Sequence, residues 1–276
     1  MADDQSWVPP GIDTTRANVA RIYDYLLGGT HNFLADQDVG RMIIAVEPNS
    51  RAIGQANRAF LGRAVRFLAA AGIRQFLDIG SGIPTQGNVH EVVQQAAPDA
   101  RVVYADIDPV AIAHSRAILT GNDNATVIQA DLREPGKILT QEGTRRLIDF
   151  SQPVGLMLLA VLHFIGDADN PWQLVATLRD ALAPGSYLVI SHGTDEGRPD
   201  VAKAAEKVYQ RGVSASIHMR SRADILRFFA GFDLLEPGLV EIPYWRPDEA
   251  ADLSAEQARF WGGLVGVGIR PEHAGG

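Results

Sequence analysis

The stretch FLDIGSGIPT, Phe76–Thr85, decides the predicted fold. It joins a short apolar run to an acid, Asp78, and then places Gly80 and Gly82 one residue apart. Glycines directly after the first strand of a parallel sheet let the backbone approach a ligand and the next helix. A lone G-x-G pair is weak evidence, because turns that precede helices also use glycine for steric reasons. The sequence on either side of the stretch must therefore decide its meaning.

Short apolar runs alternate with helical patterns after residue 74, which is typical of an α/β fold with a parallel sheet covered on both faces. The predicted strands are 75–79, 101–105, 126–130, 154–160 and 187–191. The predicted helices between them are 86–97, 109–119, 143–150 and 171–183. Nearer the C-terminus, a helix is predicted at 222–230, and strands are predicted at 233–236, 239–242 and the glycine-rich 262–269. We therefore expect one doubly wound sheet.

The first 73 residues show a different pattern, with apolar residues at helical spacing in three segments. The predicted division is a helical cap at 1–73 and a sheet domain at 74–276, in which 193–222 covers the substrate. The cap either packs passively against the sheet or forms a lid through DYLLGGTHNF, residues 24–33. The lid candidates for cofactor contact are Tyr25, Gly29 and Asn32. Tyr25 can equally be a core aromatic.

Composition narrows the class of protein. The 276 residues carry a formal net charge of −8 and no cysteine, which excludes disulfides and cysteine-based zinc sites. The sequence contains no basic run of the kind that predicts a nucleic-acid surface and no H-x-x-x-H pair of the kind that predicts a metal site. It also has no apolar stretch of about 18 residues, the length that a membrane-spanning helix needs. The N-terminal MADDQSWVPPG is acidic and polar, unlike a signal peptide. We expect a cytoplasmic enzyme without metal, membrane or nucleic-acid partners.

Two further acids follow the next predicted strands. Asp106 lies 24 residues beyond Gly82, near the spacing of about 20 residues expected for a ribose-binding carboxylate, and Asp131 ends the third strand. Asp108, directly before Pro109, fits a helix cap better. Three carboxylates in one cleft repel unless a cation is present, so a ligand with a positive centre suits the site better than a dinucleotide. Thr85 also stands where the dinucleotide fingerprint has Gly or Ala.

These motifs together, Asp78-Ile79-Gly80-Ser81-Gly82 with Asp106 and Asp131, resemble those of class I S-adenosylmethionine-dependent methyltransferases. Residues 20–40, 57–65 and 160–165, read as ARIYDYLLGGTHNFLADQDVG, NRAFLGRAV and AVLHFI, resemble one branch more closely. That branch is the actinobacterial S-adenosyl methyltransferase family, whose substrates are largely unassigned. The resemblance implies a Rossmann-like, mainly parallel sheet of seven strands, in the order 3-2-1-4-5-7-6, with the last strand antiparallel.

The resemblance also implies S-adenosylmethionine as cofactor and a set of residues that bind it. Asp78 would face the amino-acid end through water, and the glycines would let the methionine moiety approach the backbone. Asp106 would bind both ribose hydroxyls, and Asp131 would accept from the exocyclic amine of adenine. The full implied cofactor set on the sheet is Asp78, Gly80, Ser81, Gly82, Asp106, Ile107, Asp131 and Leu132.

The predicted activity is methyl transfer to oxygen or nitrogen of a small molecule. His163 follows the fourth strand and is the candidate general base, although a histidine there can also be purely structural. If Asp106 and Asp131 lie close, they raise the pKa of His163, whereas a bound sulfonium lowers it, which predicts an acidic limb in the pH profile. Two alternatives stay open: an NAD(P)-dependent oxidoreductase, and a catalytically inactive S-adenosylmethionine-binding regulatory protein.

Overall fold

The computed structural model describes residues 12–84, 87–213, 215–248 and 262–272. The acidic N-terminal segment 1–11 and Thr85 of the opening stretch lie outside the described residues. The helices are α1 Val19–Leu26, α2 Leu34–Val46, α3 Ser50–Ala70, α4 Val89–Ala96, α5 Pro109–Ile118, α6 Pro135–Thr140, α7 Glu142–Leu147, α8 Pro171–Asp180, α9 Pro199–Gly212 and α10 Arg222–Leu226. Within the described ranges, none of these helices is both long enough and apolar enough to cross a membrane.

One mixed sheet forms the centre of the molecule. Its strands are β1 Gln75–Ile79, β2 Arg101–Asp106, β3 Ala125–Gln129, β4 Gly155–Leu159, β5 Tyr187–Gly193, β6 Asp233–Leu234, β7 Val240–Glu241 and β8 Gly263–Ile269. The order is β3-β2-β1-β4-β5-β8-β6, and β7 also pairs with β8. Strands β1 to β5 are parallel and β8 is antiparallel to β5, which confirms the predicted class and order.

The described sheet has one strand more than the seven that the resemblance implies. Both predicted segments, 233–236 and 239–242, shorten to two-residue strands, β6 and β7, and each pairs with a different part of β8. The glycines of β8 make this crowded edge possible. A Cβ atom at Gly266 would lie 3.1 Å from Phe229, and one at Gly268 would lie 3.0 Å from the same ring. Low strand propensity is therefore overridden by close packing.

Helices cover both faces of the sheet. Side chains of α3, including Phe60, Val65 and Leu68, share a buried core with one face, and α6, α7 and α8 contribute to the core on the other. The helix predicted at 143–150 corresponds to α7, and it is preceded by α6, which the sequence pattern did not predict. Prolines at the first helical positions of α5, α6 and α8 suit their fixed backbone geometry.

A third, smaller core joins α1 and α2 to α9. Ile22 of α1 and Ile43 of α2 pack in the same cluster as Tyr209 of α9, and Ala17 forms a parallel β-bridge with Val213. The division predicted at residue 73 stays a prediction. In the packing, α3 shares its core with the sheet, whereas α1 and α2 pack with part of the predicted cover, 193–222.

Candidate active site

A cavity of about 840 Å³ opens at the carboxyl ends of the parallel strands. The loops after β1 to β5 line one side of it, and α1, α3, α9 and the segment 215–219 line the other. This is the position at which open α/β sheets bind ligands. All sheet-borne residues of the predicted cofactor set line the cavity, and so does His163. The structure thus brings these residues together.

The loop after β1 explains the opening stretch in physical terms. Gly80 has φ of +74°, and a Cβ atom there would collide with the side chain of Val161 after β4. Gly82 has φ of +67°, but a Cβ atom there would meet no atom of the described structure within 4 Å. Between them, the buried hydroxyl oxygen of Ser81 has no hydrogen-bond partner among the described residues. Gly80 thus serves packing, whereas Ser81 and Gly82 leave room and a polar atom for a ligand.

Asp78 is an acid in a low-dielectric position. Its side chain is buried, with the residue 5% exposed, at the end of β1. Its pKa is raised to about 7, chiefly by burial; the positive charge of Arg58 opposes this rise and the nearby Asp106 adds to it. Asp78 therefore changes its charge near neutral pH. A cationic ligand group would favour the ionised form.

Asp106 is held by the backbone of two loops. Its carboxylate accepts from the Gly82 amide at 2.7 Å and from the Asp108 amide at 2.9 Å, while burial raises its pKa. Asp108 caps α5 by accepting from the Val110 amide at 2.7 Å, as its position before proline predicts, and its other oxygen has no partner among the described residues. Ile107, between them, is 50% exposed. Asp106 thus both fixes the loop after β1 and lines the cavity.

Asp131 is neutralised by its neighbour. The Arg133 guanidinium donates to both carboxylate oxygens at 2.7–3.0 Å. Burial alone would raise the pKa of Asp131, but these hydrogen bonds outweigh it and the pKa is lowered. The carboxylate cluster that we expected to require a cationic ligand is thus partly relieved within the chain, by Arg133 and by the raised pKa of Asp78. An adenine contact at Asp131 stays a prediction. It requires the Asp131 carboxylate oxygens to accept hydrogen bonds from both Arg133 and the adenine amine.

His163 presents a different electrostatic environment from the one expected. Burial lowers its pKa well below 6.5, and the charges of His192, Arg220 and His218 lower it further. Asp106 and Asp131 are not among the groups that act on it. The Gly193 amide donates to Nδ1 at 3.3 Å, so the proton of the neutral ring is assigned to Nε2. His163 therefore lines the cavity as a neutral ring whose Nδ1 already accepts a hydrogen bond, and its role as a general base stays a prediction.

Arg220, which was not among the residues predicted for the site, organises this end of the cavity. Its buried guanidinium donates to the carbonyls of Leu162 and Ile165 on either side of His163, at 3.1 and 2.7 Å, and to Asp167 at 2.7 Å. It also donates to His192 Nε2 at 2.9 Å. No local motif marks an arginine inside a charged surface segment, so only the tertiary structure reveals it.

The three lid candidates do not line the cavity. Asn32 donates to Asp24 at 2.8 Å and to the Gly29 carbonyl at 2.9 Å, so two of the candidates are bonded to each other. The ring of Tyr25 lies beneath the Arg51 guanidinium, 5.0 Å from it. Cofactor contact by Tyr25, Gly29 and Asn32 stays a prediction. Gly29 and Asn32 are bonded within the turn between α1 and α2, and Tyr25 contacts α3.

Other residues of the N-terminal helices do line the cavity. Tyr23, Ser50 and Asn57 contribute polar side chains to its wall, and Leu26, Ile43 and Leu61 contribute apolar ones. The sequence signal was present but easily overlooked, since Asn57 is a polar residue on the inward face of α3, between Ile53 and Leu61. Among the described residues, no cluster of histidine and carboxylate side chains could hold a metal ion.

Comparison with known proteins gives a consistent result. A family model described as S-adenosyl methyltransferase matches residues 5–271. The crystal structure of a proposed methyltransferase from Thermobifida fusca YX has 42% sequence identity and a TM-score of 0.90, covering 96% of this chain and 99% of that one. A DUF574 family protein from Streptomyces avermitilis has 37% identity and a TM-score of 0.88, covering 94% and 99%. No protein of curated function is similar enough in sequence to match.

A more distant structure shows the fold alone. An O-methyltransferase family protein from Burkholderia thailandensis has 15% identity and a TM-score of 0.51, covering 91% of this chain and 70% of that one.

Proposed function

The chain belongs to the S-adenosyl methyltransferase family, and from that premise we propose that it methylates an oxygen or nitrogen atom of a small molecule. The observation that supports this proposal is the continuous cavity of about 840 Å³. It joins the loop after β1 to an inner wall built from α9 and the N-terminal helices. Its volume lies toward the upper end of the range for small-molecule sites, which allows a cofactor and a small acceptor to bind side by side.

S-adenosylmethionine is the cofactor of this family, which decides against the nicotinamide alternative. The residues present fit it, because the buried oxygens of Ser81 and Asp108 have no partner among the described residues and Gly82 leaves open space. Asp78, Ser81 and Gly82 would hold the amino-acid end. Asp106 and Ile107 would hold the ribose and the adenine, with Asp131 and Leu132 beyond them.

Little covalent help from the protein is required. When bound, S-adenosylmethionine supplies an electrophilic methyl group on a sulfonium. The chain must align an acceptor with it and exclude water. Phe164, Tyr209 and Ile217 supply an apolar wall for that purpose. We propose that the acceptor is an amphipathic small molecule whose apolar part packs against this wall.

The state of His163 favours orientation of the acceptor over proton removal. A neutral ring with its proton on Nε2 donates a hydrogen bond to an oxygen or nitrogen of the acceptor. His192 is unsuited to act as a base, since Nδ1 lies 2.6 Å from the Gly193 carbonyl and Nε2 accepts from Arg220. Burial lowers the pKa of His192 to about 4. Transfer by alignment, to an acceptor that is nucleophilic without a base, follows from this arrangement.

Binding and turnover measurements test the proposal in order. We expect S-adenosylhomocysteine to bind in calorimetry and NAD and NADP not to bind. A panel of small phenols, carboxylic acids and amines is then incubated with S-adenosylmethionine, and formation of S-adenosylhomocysteine and of a methylated product is followed by mass spectrometry. Turnover of a panel member supports the enzyme. Tight binding without turnover on a broad panel would favour the regulatory alternative.

A further inference from the structure

A hydrogen-bonded chain in the wall formed by α1 and α3 ends in an acceptor that has no partner among the described residues. The Tyr23 hydroxyl donates to the Gly54 carbonyl at 3.1 Å. The Asn57 amide nitrogen donates to the Tyr23 hydroxyl oxygen, also at 3.1 Å. Asn57 is 7% exposed, and its side-chain oxygen is buried with no hydrogen-bond partner among the described residues. Both Tyr23 and Asn57 line the cavity.

The contacts of Tyr23 fix which end of the Asn57 amide faces the ligand space. With the amide reversed, the single Tyr23 proton would have to serve two acceptors, the Asn57 oxygen and the Gly54 carbonyl. Burial raises the pKa of Tyr23, so its hydroxyl keeps that proton. The network therefore turns the Asn57 nitrogen toward Tyr23 and leaves the oxygen as the group to be satisfied.

A buried acceptor without a partner destabilises the folded protein, and such a group in a ligand cavity calls for a donor on the ligand. Ser50 repeats the feature on the same helix. It is 8% exposed, lines the cavity, and its hydroxyl has no partner among the described residues. Seven residues separate it from Asn57, which is about two turns of helix and about 10 Å. The polar groups thus follow one face of α3.

The charges around Asn57 indicate the kind of donor. Tyr23, Asn57, Arg58 and Asp78 line the same cavity, and the positive charge of Arg58 lowers the pKa of both Tyr23 and Asp78 against the effect of burial. An anion, a neutral acceptor and a cation arranged in this way suit an α-amino-acid group. Its ammonium group is attracted by Asp78 and can donate to the Asn57 oxygen, and its carboxylate is attracted by Arg58.

We propose that the Asn57 side-chain oxygen accepts a hydrogen bond from the ammonium group of the cofactor's amino-acid moiety, and that Tyr23 positions it. This inference rests on the proposed function. It makes α3 a part of the cofactor site, beyond the loops after the strands. The same acceptor chemistry could instead serve a donor on the methyl acceptor, and the two sources are separated by ligands that differ only in the amino-acid group.

Calorimetry with two ligands tests the proposal. S-adenosylhomocysteine carries the amino-acid group, whereas 5′-methylthioadenosine keeps the adenosine and the sulfur but lacks it. We expect Asn57→Leu, which preserves side-chain size, to weaken the binding of S-adenosylhomocysteine tenfold or more, equivalent to about 1.4 kcal/mol. Its affinity for 5′-methylthioadenosine should stay within twofold of wild type. Asn57→Asp, which keeps an acceptor oxygen, should bind S-adenosylhomocysteine at least threefold more tightly than Asn57→Leu.

A second variant covers the case in which Asn57→Leu does not fold. Tyr23→Phe removes the hydroxyl that orients the amide and leaves Asn57 in place. We therefore expect a threefold to tenfold loss of affinity for S-adenosylhomocysteine and no loss of affinity for 5′-methylthioadenosine. If folded Asn57→Leu binds S-adenosylhomocysteine as tightly as wild type does, the proposal is wrong, and the Asn57 oxygen would instead serve a donor on the methyl acceptor. Equal weakening of both ligands would also overturn it, since the residue would then hold the fold. If wild type itself does not bind S-adenosylhomocysteine, the proposed function fails first.

Discussion

Replacing Asp78 by asparagine should stabilise the ligand-free protein at alkaline pH and at the same time weaken cofactor binding. The ionised Asp78 carboxylate is buried, and burial raises its pKa from 3.8 to about 7. An asparagine at this position would keep the shape of the side chain without the charge. The stabilising effect of Asp78→Asn comes from removing a buried anion, and the loss of binding comes from removing the partner of a cationic ligand group.

The magnitude follows from the pKa difference. Since the folded-state pKa is raised, the native protein binds the proton more strongly than the unfolded chain, and stability falls as pH rises from 3.8 to about 7. At 1.36 kcal/mol per pKa unit, the full effect is about 4 kcal/mol. The portion between pH 5 and pH 8 is about 3 kcal/mol. This is a large fraction of the 5–15 kcal/mol that is typical of folded proteins.

Urea unfolding of wild type and Asp78→Asn at several pH values measures the effect. We expect the variant's advantage in free energy of unfolding to grow by about 3 kcal/mol from pH 5 to pH 8. Asp131→Asn is the matched control, because Asp131 also lines the cavity but Arg133 lowers its pKa. Between pH 5 and pH 8, wild type should not lose stability relative to Asp131→Asn.

Ligand provides a second readout. S-adenosylhomocysteine should favour the ionised form of Asp78, so that saturating ligand flattens the pH dependence of wild-type stability. Parallel stability curves for wild type and Asp78→Asn would refute the reasoning, since they would show that Asp78 titrates alike in the folded and unfolded chains.

Three variants and one exchange experiment test other parts of the site. Asp106→Ala should weaken S-adenosylhomocysteine tenfold or more in calorimetry, whereas a change within twofold would leave Asp106 as a support for the loop. His163→Gln should lower turnover by about tenfold or less without altering the pH profile between pH 6 and 8, and an acidic limb that disappears in the variant would restore a general base. Gly80→Ala should lower the free energy of unfolding by about 2 kcal/mol or more through backbone strain and collision, and adding Val161→Ala should recover part of it in urea unfolding. Hydrogen exchange at 28–33 should change little on adding S-adenosylhomocysteine, because Asp24 already holds this turn; strong slowing would make it a lid.

Much of the fold was predictable, because the strand-helix alternation after residue 74 is local and periodic. Strands β1 to β5 begin and end within about two residues of the predicted positions. The short strands β6 and β7 and the helix α6 were less well predicted. Their apolar patterns are brief, and they form where β8 or the sheet face offers a partner.

The sequence by itself determined the loop after β1, because Asp78, Gly80 and Gly82 are neighbours in the chain and the strand-helix alternation around them places them after a parallel strand. Only the tertiary structure decided the chemistry of the rest of the cavity. Arg220 is separated by 28 residues from His192, and Asn57 by 34 from Tyr23. Contacts over such distances in sequence leave no periodic signal, yet Arg220 adds to the effect of burial in lowering the pKa of His192, and Tyr23 orients the Asn57 amide. Proton positions and amide orientations depend on which groups meet in space, which a linear pattern does not record.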